Sequence, residues 1–92
     1  MNIDGVKYLN GTTSQQVSAA AGVFYGVIVN SHTSGTLKFW DNTAGSGAVL
    51  INTFTFPAGS GVYQFPKGVC FNTGLFATVG GTIDYTILYK TQ

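Results

Sequence analysis

Apolar side chains recur at every second position through most of this chain, in runs too short for helices. Val23, Tyr25, Val27 and Val29 alternate with Phe24, Gly26, Ile28 and Asn30, the period of a strand with one face buried. That reading gives Val23, Tyr25, Val27 and Val29 one uniformly apolar face and sets Phe24 on the other. Leu37 and Phe39 alternate with Thr36 and Lys38, which puts Trp40 on the face of Lys38, and Leu50, Phe54 and Phe56 alternate with Ile51, Thr53 and Thr55. The clearest run sets Ile83, Tyr85, Ile87 and Tyr89 against Thr82, Asp84, Thr86, Leu88 and Lys90. Weaker runs cover 6–9, 14–20, 62–65 and 69–71. Residues 14–21 also read as a short helix, because Ala19-Ala20-Ala21 favours one and Gly22 would end it.

Turn chemistry separates the runs: Asn10-Gly11, Thr33-Ser34-Gly35, Asn42 to Gly47, Pro57 to Gly61, Pro66-Lys67-Gly68, Asn72-Thr73-Gly74 and Gly80-Gly81. Such signals, mostly 8–12 residues apart, belong to a sandwich or barrel. Gly80-Gly81 joins 75–79 to 82–89, and two glycines suit the positive φ of a type I′ hairpin turn. The expectation is an all-β chain of about eight short strands in two sheets, a single small β-sandwich of jelly-roll or related Greek-key type. Residues 1–92 form one domain, with 1–5 as a flexible N-terminal arm that carries no strand alternation.

Composition narrows the function. The ionisable side chains are three aspartates (Asp4, Asp41, Asp84), four lysines (Lys7, Lys38, Lys67, Lys90) and one histidine, with no glutamate or arginine. Net charge is +1, without the basic cluster that phosphate binding needs, so no nucleic-acid partner is expected. The start lacks the basic and apolar regions of a secretory signal, and no stretch approaches the roughly 18 apolar residues of a membrane span. The expectation is synthesis in a cytoplasm, with no membrane partner. A domain of 92 residues buries only roughly 60–65% of its unfolded surface. Cys70 has no second cysteine to pair with, so stability is expected to come from self-association or a larger partner. Aromatic content of 14% beside 8% charge points the same way.

Each candidate for chemistry has a simpler reading. Ser31-His32-Thr33-Ser34 has hydroxyls beside the only histidine, but no elbow or oxyanion motif surrounds it, and a polar loop with His32 in solvent explains it. Asp41-Asn42-Thr43 begins like a calcium loop but lacks its later carboxylates, so an Asx turn accounts for it. Gly45-Ser46-Gly47 and Gly59-Ser60-Gly61 lack the Lys-Ser/Thr and helix of a phosphate cradle. Asn10-Gly11-Thr12 matches a glycosylation sequon and reads as a turn. Cys70 alternates with Val69 and Phe71 and is expected to be a small buried group. No catalytic residue, cofactor or metal ligand is assigned. Trp40, Tyr63 and Phe76 could form a stacking platform for sugars or fill core and interface, and Phe24, Trp40 and Phe76 lie opposite the most uniform apolar faces, so not all can sit in one inter-sheet core.

Across Val29-Asn30-Ser31-His32-Thr33-Ser34-Gly35-Thr36, Phe39-Trp40-Asp41, Phe54-Thr55-Phe56-Pro57-Ala58-Gly59-Ser60 and Gly80-Gly81-Thr82-Ile83-Asp84-Tyr85-Thr86, the chain resembles small structural proteins of tailed bacteriophages. The likeness covers roughly residues 22–90 and is nearest to the jelly-roll decoration, or cement, proteins of icosahedral heads. The resemblance implies a non-enzymatic virion protein on the capsid surface that binds the major capsid protein at junctions between capsomers and self-associates as a homotrimer. It carries no site residues. The physical reading adds an assembly surface of Asn2, Ile3, Asp4, Phe24, Trp40 and Phe76. The rival expectation is a receptor-binding or fibre domain whose loops, 42–47 and 57–61, contact host glycans.

Overall fold

The computed structural model describes residues 6–56 and 60–91. Among them the chain is all β, with strands β1 (Lys7–Gly11), β2 (Gln15–Ser18), β3 (Gly22–Trp40), β4 (Val49–Thr55), β5 (Gly61–Phe71) and β6 (Leu75–Thr91). Every pairing is antiparallel. Residues 15–18 are strand, which settles the helix alternative.

The long strands organise the rest. β3 and β6 pair from Gly22 against Thr91 to Trp40 against Phe76. At roughly 3.3 Å per residue, the 19 residues of β3 would reach about 60 Å, yet the longest dimension of the molecule is 38 Å. Both strands therefore fold over midway. At the corner, Thr33 pairs with Thr82 and Thr36 with Gly80, so Ser34 and Gly35 on β3 stand opposite Gly81 alone, and a bulge of this kind, one residue in excess, bends its strand. Ser34 and Gly81 carry the positive φ angles there, 51° and 69°.

Gly80-Gly81 is thus not the hairpin turn expected from the sequence. The chain bends there without reversing, and the two strands expected at 75–79 and 82–89 are one strand crossing from one sheet to the other. The segments also keep their pairing with β3 on both sides of the corner.

Beyond the corner each half of the pair gains new flanking strands. One sheet runs β1, the second half of β6, the first half of β3, then β5; the other runs β2, the first half of β6, the second half of β3, then β4. Six strands replace the expected eight because β3 and β6 each serve both sheets. Counted once per sheet they restore two four-stranded layers, in the order of a jelly roll.

The layers meet through aliphatic and aromatic side chains. Phe24 of the first sheet lies with its ring centroid 4.5 Å from that of Phe39 in the second, and Leu37, Leu75, Ala77, Ile83 and Ile87 are buried around them. Tyr85 is fully buried, and its hydroxyl donates to the Thr13 carbonyl at 2.6 Å and accepts from the Gln15 amide at 3.0 Å. Burial pushes this phenol above its ordinary pKa, with the Gln15 hydrogen bond opposing.

Bulges also explain where strict alternation misplaces side chains. Phe24 pairs with Tyr89 and Gly26 with Leu88, so Tyr25 is an extra residue and the pattern changes phase there. Phe24, Val27 and Val29 are buried in the core, whereas Val23, Tyr25 and Ile28 are only half-buried. Phe24 therefore joins the face from which the sequence pattern excluded it. In β4, Leu37 pairs with Phe54 and Phe39 with Ile51, and the extra residue between them brings Ile51 to the core side beside Phe54.

The corner is testable at its two glycines. An added Cβ at Gly81 would collide with the Ser34 carbonyl and would force a left-handed backbone on a side chain, whereas one at Gly80 meets only the Thr36 hydroxyl. Gly81→Ala is expected to cost about 2 kcal/mol or more, and Gly80→Ala less, because Thr36 can rotate away. Urea unfolding of both variants checks this; equal losses would restore a symmetric two-glycine turn.

Candidate functional site

The titratable residues are dispersed. Among the described residues, no three His, Cys, Asp or Glu side chains are grouped to hold a metal ion. His32 is half-buried within β3, not a solvent-facing loop residue: its Nδ1 accepts the Gly35 N–H at 3.1 Å, and its ring centroid is 5.7 Å from that of Phe56. It braces the corner. Cys70 is exposed on β5, contrary to the expected buried position, while its neighbour Phe71 fills the core.

Asp41 follows β3 and acts as a clasp. Its carboxylate accepts the backbone N–H groups of Asn72 and Thr73, each at 2.9 Å, so it ties the β3–β4 loop to the β5–β6 turn. Burial raises its pKa, but the backbone N–H groups of Thr73, Asn72 and Gly74 lower it and prevail, holding the carboxyl below its ordinary value. The loop itself is closed by the Asp41 N–H bonding the Ala48 carbonyl at 2.9 Å and by Asn42 Nδ2 donating to the Ser46 carbonyl at 2.7 Å.

Trp40 and Phe76 are brought together. They are cross-strand partners on β3 and β6, next to the partners Lys38 and Thr78. Both rings are half-buried. The Lys38 amine sits 4.2 Å from the Trp40 ring centroid, within cation–π range, and the indole N–H donates to Thr78 Oγ1 at 2.9 Å. Gly45 of the β3–β4 loop lies against Phe76 and Thr78. Intramolecular partners thus hold the indole, which leaves it less open as a stacking surface. Phe24 is separated from this pair: at 1% exposure it lies in the core, not on the outer surface expected of an assembly residue. Asn2, Ile3, Asp4 and the remainder of the 1–5 arm lie outside the described residues, as do 57–59 of the second expected glycan loop.

Two apolar surfaces were not singled out by the sequence. On the outer face of the first sheet, Tyr8 is 69% exposed and Val6 49%, and Tyr8 pairs with Leu88. Val6, Tyr25, Phe65 and Leu88 border a depression of about 270 Å³ there. Between β4 and β5, on the open side of the sandwich, a groove of about 480 Å³ has Phe24 and Val27 below and Phe54, Tyr63 and Phe65 along its sides. The amides of Asn52 and Gln64 also line it, and Val62, at its edge, is 58% exposed. The signal available beforehand was the weak alternation at 6–9 and 62–65, which gives no indication of which face lies outward.

No family model, curated protein or solved structure matches this chain.

Two measurements test the site. Phe24→Ala is expected to cost about 3–5 kcal/mol, as for a large buried aromatic, and to unfold this small domain; a folded variant by circular dichroism would place Phe24 outside the core. For Asp41 the folded pKa is below the unfolded one, so its contribution to stability is present above the unfolded value of 3.8 and is lost as pH falls through the folded value. The stability difference between wild type and Asp41→Asn, from urea melts, is expected to be constant near neutrality and to shrink below about pH 4. A difference independent of pH would mean that the carboxylate charge plays no part in the clasp.

Proposed function

We propose that this protein is a non-enzymatic structural component of a bacteriophage virion. It binds the major capsid protein on the surface of an icosahedral head, at junctions between capsomers, and stabilises the shell as a homotrimer made in the host cytoplasm. The observation that carries this reading is the outer surface of the sandwich: a small, sparsely charged jelly roll with exposed Val6, Tyr8 and Val62 on a core of modest size. Burying such apolar area against copies and a shell adds stability by mass action. Trp40 and Phe76 remain assigned to assembly as a second, more self-contained patch. With few titratable groups, Asp41 engaged in its clasp and His32 at the corner, the chain is read as having no catalytic activity and no nucleic-acid or membrane partner.

One feature favours a second reading. Aromatic walls with amides alongside, as at Tyr63, Phe65, Asn52 and Gln64 in the β4–β5 groove, suit the stacking and hydroxyl contacts of a neutral sugar, the chemistry of a receptor-binding or fibre domain.

The experiment is co-sedimentation of the purified protein with empty phage heads that lack it, followed by electron microscopy. Saturable binding, density at capsomer junctions and a higher melting temperature of the heads are expected. Absence of binding together with a specific hit on a glycan array would replace the decoration reading with the receptor-binding one.

A further inference from the structure

The sandwich has four edge strands, β1 and β5 in one sheet and β2 and β4 in the other. Exposed edges are normally guarded by charge, proline, shortness or bulges, because unpaired N–H and C=O groups invite other strands. β1 carries exposed Lys7. β2 has only four residues and an irregularity between Gln16 and Ser18. Pro66 and Lys67 guard the latter part of β5. Residues 61–65 of β5 have none of these devices, and β4, seven residues without charge or proline, is guarded by its bulges alone. These two edges flank the 480 Å³ groove.

The groove's lining selects its occupant. Val62, Tyr63, Gln64 and Phe65 all line it; since successive strand residues point to opposite faces, the groove runs along the edge of β5, not over one face. None of its lining residues is charged, so a charged group entering would lose hydration without compensation. A neutral apolar knob fits. The largest one on the described surface is Tyr8, 69% exposed, with Val6 two positions earlier and 49% exposed. Alternation puts both on one side of β1 and Lys7 on the other. Buried in the groove, the Tyr8 ring would lie among Phe54, Tyr63 and Phe65 with its hydroxyl within the compass of the Asn52 and Gln64 amides, as a buried tyrosine requires.

We propose that the groove between β4 and β5 is the self-association site of this protein, filled by Tyr8 and Val6 of a second copy. The two surfaces differ, so the contact is heterologous, and it builds closed rings or open chains. The inference rests on the proposed function only for the premise that copies associate; binding to heads is not needed for it.

The test uses the full chain without heads. Tyr8→Ser removes the knob at an exposed position, and Val62→Lys places a charge on the groove edge. Gln64→Glu is a second, nearly isosteric way to charge the groove should Val62→Lys fail to fold. Sedimentation velocity is expected to show wild-type association at micromolar concentration, weakened at least about tenfold by each folded variant. An equimolar mixture of Tyr8→Ser and Val62→Lys retains one intact knob and one intact groove, so heterodimers and nothing larger are expected. Wild type that stays monomeric, variants that associate as wild type does, or a mixture that stays monomeric would each overturn the proposal. So would a glycan that occupies the groove while leaving association unchanged. Head binding by the same samples is scored separately, so loss of either reading is recognised independently of the other.

Discussion

The contact between Phe24 and Phe39, 4.5 Å between ring centroids, is the constraint on which the rest of the molecule depends. The two residues belong to the same strand, and they can touch only because β3 and β6 bend together at Ser34-Gly35 and Gly80-Gly81. Bending one strand alone would break the ladder between them. Bending both, with a bulge on β3 and a left-handed glycine on β6, keeps the hydrogen bonds and turns a long two-stranded ribbon into two facing layers.

Once the ribbon is folded, the positions of the other elements follow from edges that need covering. β1 and β2 take the free flank of β6, and β4 and β5 that of β3. Tyr85 links the β1–β2 connection to the core, and Asp41 fastens the loop after β3 to the turn before β6. The flank between β4 and β5 is less complete: aromatic side chains from both strands meet there, Phe54 with Tyr63 at 6.2 Å and Phe56 with Tyr63 at 5.1 Å, but a groove remains. In so small a domain, an open apolar side and a sparsely charged exterior are expensive to leave in water. The proposed assembly role draws on this open side more than on any single residue.

The neutrality of this surface has a kinetic side as well. With a net charge of +1, long-range steering is weak and contacts depend on shape and apolar area, so they respond little to ionic strength.

How much of this was legible beforehand follows from the physics of alternation. Period two identified strands wherever the chain pairs regularly, as at Ile83, Tyr85 and Ile87, all buried, and composition identified an all-β domain poor in ionisable groups. Alternation keeps its phase only until a bulge, however, and bulges are set by the partner strand. The surplus residues at Tyr25 and in β4 have no mark in the local sequence, so Phe24 was placed outside when it lies at the centre, and the turn signal at Thr33-Ser34-Gly35 proved to be a bulged corner within one strand. Two adjacent glycines suit a hairpin and a strand corner equally well, and only pairing with β3 on both sides decides between them. Residue types and their period thus determined by themselves that this chain makes strands and has little acid-base chemistry. Which face each strand buries, where β3 and β6 bend, and which apolar residues are left outside were decided by the tertiary structure, because each depends on register between segments up to 84 residues apart.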